Sequence, residues 1–165
     1  MRTRTLVRLL SCMALVLCLY VAPAANAASA DEEEVMKVVI NFNTALNTLD
    51  YNLMSSLWWH SPKVSSYEPS TGYPFLYEGW DEIGAYWKAN LAPSDLITNV
   101  QTLHQPKVTM LTNDVAVTTT YANNVYTDPK TKEQTIGQLR QSLVVQKING
   151  KWLIVFHHCS GLPIK

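Results

Sequence analysis

The sequence predicts a single α+β domain in which three helices come first and a meander of long antiparallel strands follows. Apolar residues recur at helical spacing between residues 32 and 91, whereas from residue 97 onward they alternate with polar residues, as they do in strands. A third observation is the pair Asn149-Gly150 between two β-rich runs, because both residues tolerate the positive φ angles of a tight hairpin turn. The hairpin Val144–Ser160 is therefore expected to close the domain.

The first 27 residues are predicted to be a cleaved secretory signal and not part of the fold. The pattern consists of Arg2, Arg4 and Arg8, the apolar run LLSCMALVLCLYVA (9–22) and the small residues Ala25-Asn26-Ala27, with Ala28-Ser29-Ala30 as a second possible cleavage site. The apolar run of 14 residues is shorter than the roughly 20 that a membrane-spanning helix needs. Residues 28–165 would remain as one exported domain, periplasmic or secreted, without a membrane attachment.

The charge and cysteine content of this mature part restrict its partners. All 13 acidic residues but only 10 of the 13 basic ones follow residue 27, so that removal of the signal changes the formal net charge from 0 to −3. A mildly acidic domain without a basic stripe argues against nucleic acid as a partner. Cys159 is the one cysteine of the mature part, which excludes an internal disulfide and predicts a buried, inert thiol.

Each predicted helix has a recognisable start and end. The first helix, residues 32–48, follows Asp31 as a capping side chain and carries acidic residues in its first turn. A shorter helix restarts at Asp50 and stops at Ser61-Pro62. Short extended pieces fill residues 63–78, and a third helix covers residues 80–91.

Strands are predicted at residues 97–111, 114–126, 136–148 and 151–159. In the last strand, alternation predicts that Trp152, Ile154 and Phe156 face one way and that Leu153 and Val155 face the other. Both faces of the sheet would then be apolar, although a sheet with one face in water alternates apolar and polar residues. We therefore expect the helices to cover one face and a second copy of the chain to cover the other.

Two segments of the chain resemble a known family. KINGKWLIVFHHCSGLP (147–163) resembles the closing strand of the association domain of calcium/calmodulin-dependent protein kinase II and of SnoaL-like proteins, which belong to the nuclear-transport-factor-2-like superfamily. SSYEPSTGYPFLYEGWDEIGAYW (65–87) resembles the same association domain at its aromatic-Glu-Pro and Glu-Gly steps. The resemblance implies a conical, cystatin-like fold in which a curved sheet wraps a helix and leaves a pocket. It also implies dimers or larger rings built through the sheet.

The resemblance directs attention to two sets of polar residues. Glu68-Pro69 lies where ketosteroid isomerases of this superfamily have an Asp-Pro whose aspartate is the general base, which makes Glu68 a candidate proton shuttle. The alternative is a loop acid that is solvated or that hydrogen-bonds a neighbouring backbone group. Arg140 and Ser142 match an Arg-x-Ser/Thr pattern of SnoaL-like sequences, and with His158 they would offer donors to an anion if they face the interior. Structural hydrogen bonds and a salt bridge are the alternative for these residues.

A ligand pocket is predicted where these polar groups meet aromatic side chains, because small-molecule sites combine apolar walls with a few polar groups. Its expected members are Trp58, Tyr67, Tyr86, Trp87, Tyr121, Arg140, Ser142 and His158. Adjacent strand residues point to opposite faces, so that His157 and His158 cannot hold one metal ion. We predict no metal site and no cofactor.

The resulting expectation is an exported, non-enzymatic domain that binds itself and a small apolar or anionic molecule, since no complete catalytic constellation is visible. The alternative is a SnoaL-like isomerase, cyclase or hydrolase that uses Glu68 or His158 as a proton shuttle. Both side chains inside one closed pocket would favour the enzyme. Exposure of either one to solvent would favour the binding and assembly role.

Overall fold

The structure, a computed structural model, describes residues 29–69, 76–93 and 97–161. The signal predicted at residues 1–27 lies outside these ranges. Within them, no helix has both the length and the apolar character that crossing a membrane requires.

Three helices form where the sequence predicts them, namely α1 (Ala30–Thr48), α2 (Tyr51–Leu57) and α3 (Gly79–Asn90). The cap of α1 is Ser29 and not Asp31 as predicted. The Ser29 hydroxyl accepts a hydrogen bond from the Glu32 amide, and the Glu32 carboxylate accepts one from the Ser29 amide. This reciprocal pair explains why α1 begins two residues earlier than the predicted residue 32.

Asp31 does not cap α1 but connects its first turn to the final hairpin. Its Oδ1 atom accepts hydrogen bonds from Lys147 Nζ at 2.6 Å and from Trp152 Nε1 at 3.1 Å. The hairpin turns at Asn149 and Gly150, whose φ angles of 52° and 82° confirm the predicted positive-φ turn. The start and the end of the described chain are thereby held together.

In the described part of the chain, seven strands form one curved sheet in the order β2-β1-β7-β6-β5-β3, with β4 also paired to β5. Their bounds are β1 (Ser65–Tyr67), β2 (Leu76–Glu78), β3 (Ile97–Thr102), β4 (Lys107–Met110), β5 (Val115–Thr127), β6 (Gln134–Ile148) and β7 (Lys151–Gly161). Every pair of named strands is antiparallel except β1 with β7, which is parallel. The early strand β1 therefore pairs with β7, the last strand of the sheet in chain order.

The prediction of a single strand at residues 97–111 is wrong, because this segment contains two strands, β3 and β4. Thr102 pairs with Ala122 and Lys107 pairs with Thr119, so that residues 103–106 stand opposite only residues 120–121 of β5. The surplus residues form an irregular corner. This corner ends at Pro106, which has no amide hydrogen to donate to a ladder.

One extra residue in β7 interrupts the alternation predicted for the last strand. Val144 of β6 pairs with Phe156, and its neighbour Val145 pairs with Ile154. Val155 is therefore left without a partner, as the surplus residue of a β-bulge. Because a bulge inserts one residue into a pattern of period two, every side chain after it changes face.

The helices pack against one face of the sheet, which we call the inner face; the opposite one is the outer face. Trp152 and Ile154 belong to the core on the inner face, as predicted. Phe156 was predicted to share that face, and this is wrong: after the bulge, His157 and Cys159 are the buried residues. The core joins helix and sheet residues, among them Val35, Val39, Phe42, Met54, Trp58, Ile83, Trp87, Leu143, Val145 and Ile154.

Candidate functional site

Five polar side chains meet within the otherwise apolar space between the inner face and the helices. They are Ser66, Glu68, Tyr86, Gln141 and His157, which we call the Glu68 cluster. The exposed fraction is 4% for Glu68 and 1% for His157. Burying a carboxyl group lowers the stability of the fold unless the group is hydrogen-bonded, so the hydrogen-bond partners of Glu68 determine the cost of its burial.

Four separate elements position the cluster. Ser66 lies in β1 with Glu68 two residues later, so that both side chains point to the same side of the extended segment. The parallel pairing of β1 with β7 places Ser66 directly beside His157. Gln141 comes from β6 and Tyr86 from α3. The site depends on the whole fold, because no single segment carries more than two of its members.

Hydrogen-bond donors converge on the Glu68 carboxyl group. Its Oε1 atom accepts from the Ser66 hydroxyl at 2.5 Å and from His157 Nδ1 at 2.7 Å. Its Oε2 atom accepts from the Tyr86 hydroxyl at 3.2 Å. On the other side of the imidazole, the Gln141 amide nitrogen lies 3.2 Å from His157 Nε2. Because an amide nitrogen only donates, this placement assigns the imidazole proton to Nδ1 and leaves Nε2 as an acceptor.

Aromatic rings enclose the imidazole of His157. The ring centroids of Phe42, Trp58 and Trp87 lie 5.2, 6.5 and 6.0 Å from it. Both ring nitrogens of His157 already have polar partners. The described contacts therefore leave His157 no free nitrogen with which to meet a substrate.

Burial and the neighbouring carboxyl group determine the protonation of Tyr86 and Cys159. Burial raises the pKa of the Tyr86 phenol far above its ordinary value, and the charge of Glu68 and the hydrogen bond to it add to this effect. Burial raises the pKa of the Cys159 thiol to about 12, again with a contribution from Glu68. At neutral pH Tyr86 is therefore a donor to Glu68. Cys159 is a buried thiol with little nucleophilic character.

The residues predicted to form one pocket lie on two opposite faces of the sheet. Trp58, Tyr86 and Trp87 lie on the helix side, with the two tryptophans in the core. The other five residues lie on the outer face. Strand pairing places His158 between Tyr67 and Ser142, and it places Arg140 beside Tyr121. The structure therefore does not bring these eight residues together, and their roles in ligand binding stay predictions.

Three members of the Glu68 cluster were not predicted from the sequence, namely Ser66, Gln141 and His157. The spacing Ser66-x-Glu68 was a usable signal, since residues two apart in an extended segment share a face. No comparable signal points to His157, because strict alternation would place His158 inward and only the bulge at Val155 reverses this.

A second concave region lies away from the Glu68 cluster, as an open groove of about 450 Å³ between α1 and the β3–β4 corner. Its walls are Ile40, Asn43, Thr44, Asn47, Val100, Thr102, Leu103, His104, Gln105 and Pro106. None of these side chains is an acid, a lysine or an arginine, so the groove mixes apolar and polar side chains and carries no carboxylate, ammonium or guanidinium charge.

Comparisons with known proteins agree with this architecture. The chain is similar to a nuclear transport factor 2-like superfamily protein from Salmonella enterica serovar Typhimurium, with a TM-score of 0.70 and 21% identity over 84% of this chain and 95% of that one. It is similar to the association domain of the C. elegans kinase, with a TM-score of 0.65 and 19% identity over 82% and 98%. A cystatin-like protein from Caulobacter vibrioides gives a TM-score of 0.64 and 16% identity over 79% and 89%.

These likenesses confirm the predicted nuclear-transport-factor-2-like, cystatin-like α+β fold, in which helices pack on a curved sheet. The sequence itself matches a family model over residues 31–163, nearly the whole part that follows the predicted signal. The chain therefore belongs to the calcium/calmodulin dependent protein kinase II association domain family.

Proposed function

We propose that this chain is an exported domain that binds a second copy of itself through the outer face of its sheet and carries no catalytic activity. Export rests on the sequence pattern of residues 1–27. Self-association rests on one observation above all, the apolar and aromatic surface that the outer face presents.

The outer face carries an apolar row across three neighbouring strands. Phe156 of β7 pairs with Val144 of β6, which in turn pairs with Val117 of β5. Tyr67 and Tyr121, which are 44% and 48% exposed, lie on the same face beside this row. Patches of this kind, with a polar rim, are typical of protein–protein interfaces. The family supports the same proposal, because one of the similar structures is an association domain.

The Glu68 cluster supports a second part of the proposal, a small ligand bound on the inner face. Glu68 Oε2 accepts only one hydrogen bond from the described residues, that of Tyr86, and so has room for a second donor. The rings of Tyr77 and Tyr86, whose centroids are 4.6 Å apart, supply apolar surface nearby. Arg140, expected to hold an anion, lies on the outer face, so the cluster favours an apolar ligand with a hydrogen-bond donor over an anion.

A SnoaL-like isomerase, cyclase or hydrolase is the second candidate. The buried, hydrogen-bonded carboxyl group of Glu68 favours it, because such groups can move protons in enzymes. Two observations favour binding instead. His158, the other candidate shuttle, is exposed on the opposite face from Glu68. His157, the histidine that does contact Glu68, has both ring nitrogens engaged.

Native mass spectrometry of the mature protein tests this proposal. We expect a dimer or larger ring for the natural sequence and a shift to monomer for Val144→Glu, which places a charge in the apolar row. Asn52→Glu, on the exposed side of α2, is the matched control and should leave the assembly unchanged. A monomeric natural protein would overturn the self-association part. A co-purified small molecule that is lost in Glu68→Leu, with assembly intact, would support the ligand part.

A further inference from the structure

The edge of the sheet at β3 and β4 is protected in two different ways along its length. Among the described strands, β3 and β4 have no partner beyond β5, so that no strand pairs with their outward backbone groups. On the β4 half, Pro106 and Lys107 provide the usual protection, a missing donor and a charge. On the β3 half, ITNVQT (97–102), the sequence holds neither a charge nor a proline.

A side chain of α1 occupies the β3 edge in place of a strand. Asn47 Nδ2 donates to the Val100 carbonyl oxygen at 3.1 Å, and the Val100 amide donates to Asn47 Oδ1 at 2.6 Å. A carboxamide has the same donor and acceptor as a peptide group. The Asn47 amide therefore makes to Val100 the two hydrogen bonds that a residue of a neighbouring antiparallel strand would make.

We propose that Asn47 closes a latent strand-pairing surface on β3, whose partner would be β3 of a second copy of this chain. Two identical edges can pair antiparallel about a two-fold axis, which makes such a contact self-complementary. An open groove borders this edge between α1 and the β3–β4 corner. Charge does not oppose the approach, because the groove walls carry no acid, lysine or arginine.

The consequence of an open β3 edge would differ from that of the outer face. A single two-fold interface gives a closed dimer, whereas a second two-fold interface elsewhere on the subunit links dimers into larger assemblies, closed or open-ended according to how the two axes meet. Asn47 would thus confine self-association to the outer face. This inference goes beyond the proposed function and does not require it, since the edge can be tested in a monomeric background.

The test compares Asn47→Ala with Asn43→Ala by light scattering after size exclusion, over a wide range of protein concentration. Asn43 lies one turn earlier on α1 and bonds only the Thr102 hydroxyl, so it is the matched control for loss of an amide. We expect the mass of Asn47→Ala to rise by roughly a factor of two or more at high concentration, and that of Asn43→Ala to stay at the natural value. In the Val144→Glu background, Asn47→Ala should give dimers.

A rescue variant separates edge pairing from simple loss of stability. Val100→Pro removes the outward amide that a second strand would need, at a position that does not bond β5 through this group. Asn47→Ala with Val100→Pro should return to the natural mass. Hydrogen exchange at residues 97–102 should be faster in dilute Asn47→Ala than in the natural protein. An unchanged mass for Asn47→Ala, or larger species that Val100→Pro does not remove, would overturn the proposal.

Discussion

The two faces of the sheet use the same strands for different purposes, and two adjacent histidines show the contrast most directly. His157 is 1% exposed, bonds Glu68 and is surrounded by aromatic rings of the core. His158, one residue later, is exposed on the outer face and lies against the ring of Tyr67. Residue type alone therefore does not determine the role of a histidine here. The position of one bulge decides which histidine becomes part of the buried site.

This contrast separates two kinds of sensitivity. Changes on the inner face should affect the free energy of unfolding, because they act on buried hydrogen bonds and packed rings. Changes on the outer face should affect association, because its side chains remain partly in contact with water in the single chain.

Replacing His157 should cost far more stability than replacing His158. His157→Ala removes the Nδ1 donor of a buried carboxyl group and leaves a cavity among Phe42, Trp58 and Trp87, which predicts a loss of about 3–5 kcal/mol. His158→Ala should change the free energy of unfolding by less than about 0.5 kcal/mol. Chemical denaturation at one fixed protein concentration measures both values.

Glu68→Gln serves as a milder probe should His157→Ala fail to fold, because it keeps the side-chain volume and changes one acceptor into a donor. Equal losses for the two histidine variants would contradict the division between the faces.

The natural protein should lose stability in alkaline solution through two inner-face groups. The folded state raises the pKa of Cys159 from 9.0 to about 12 and that of Tyr86 well above 10.0. Above pH 9 the unfolded chain releases these protons while the folded chain keeps them. The free energy of unfolding therefore falls as pH rises, by about 1.4 kcal/mol per pH unit for each group in its window.

Denaturation curves between pH 8 and pH 11 check this slope, with Cys159→Ala expected to remove the first part of the decline and Tyr86→Phe the later part. Tyr121→Phe, a tyrosine on the outer face, is the matched control. A decline that persists unchanged in both inner-face variants would show that other groups cause it.

The smallest effect is expected where the two ends of the chain meet, at Asp31. Hydrogen bonds from Lys147 and Trp152 hold the pKa of Asp31 below its usual value of 3.8. A lowered pKa stabilises the fold above pH 4 and ceases to do so as the pH falls through the folded value. Asp31→Asn should therefore be slightly less stable than the natural protein at pH 7 and equally stable at very low pH.

The effect of Asp31→Asn is small because both partners of the ion pair are about one-third exposed and water screens it. Glu34→Gln breaks a more exposed pair with Lys37, in which the two side chains are 63% and 58% exposed, and is the control. A difference that does not depend on pH would exclude the ion pair as its cause.

The sequence was sufficient for the elements whose signals are local. The helical spacing of apolar residues, the Asn149-Gly150 turn and the alternation in β5 and β6 each depend on neighbours in the chain, and the structure agrees with all three. The start of α1 and the division of residues 97–111 were missed because they depend on particular residues. Ser29 competes successfully with Asp31 as the cap, and Pro106 interrupts the ladder.

The Glu68 cluster could be predicted only in part. Glu68 and Tyr86 were named as candidates, whereas His157 was not, because its inward direction follows from the unpaired Val155. No rule of periodicity places a bulge, since a bulge is a property of two paired strands. Likewise, the parallel pairing that brings Ser66 to His157 joins residues 91 positions apart. Neither segment contains a local pattern that identifies the other as its partner.

The last strand of the domain lies in the middle of its sheet, which has a consequence for the timing of folding. β7 separates β1 from β6, and contacts such as that between Asp31 and Trp152 span 121 positions. Pairing over such separations slows folding, because a long loop must close before its contacts form. A chain whose synthesis has not reached β7 therefore lacks the strand that joins β1 to β6 and contributes Trp152 and Ile154 to the core. For the exported protein that we propose, this delay would keep the polypeptide unfolded, and so able to cross a membrane through a narrow channel, until β7 has been made.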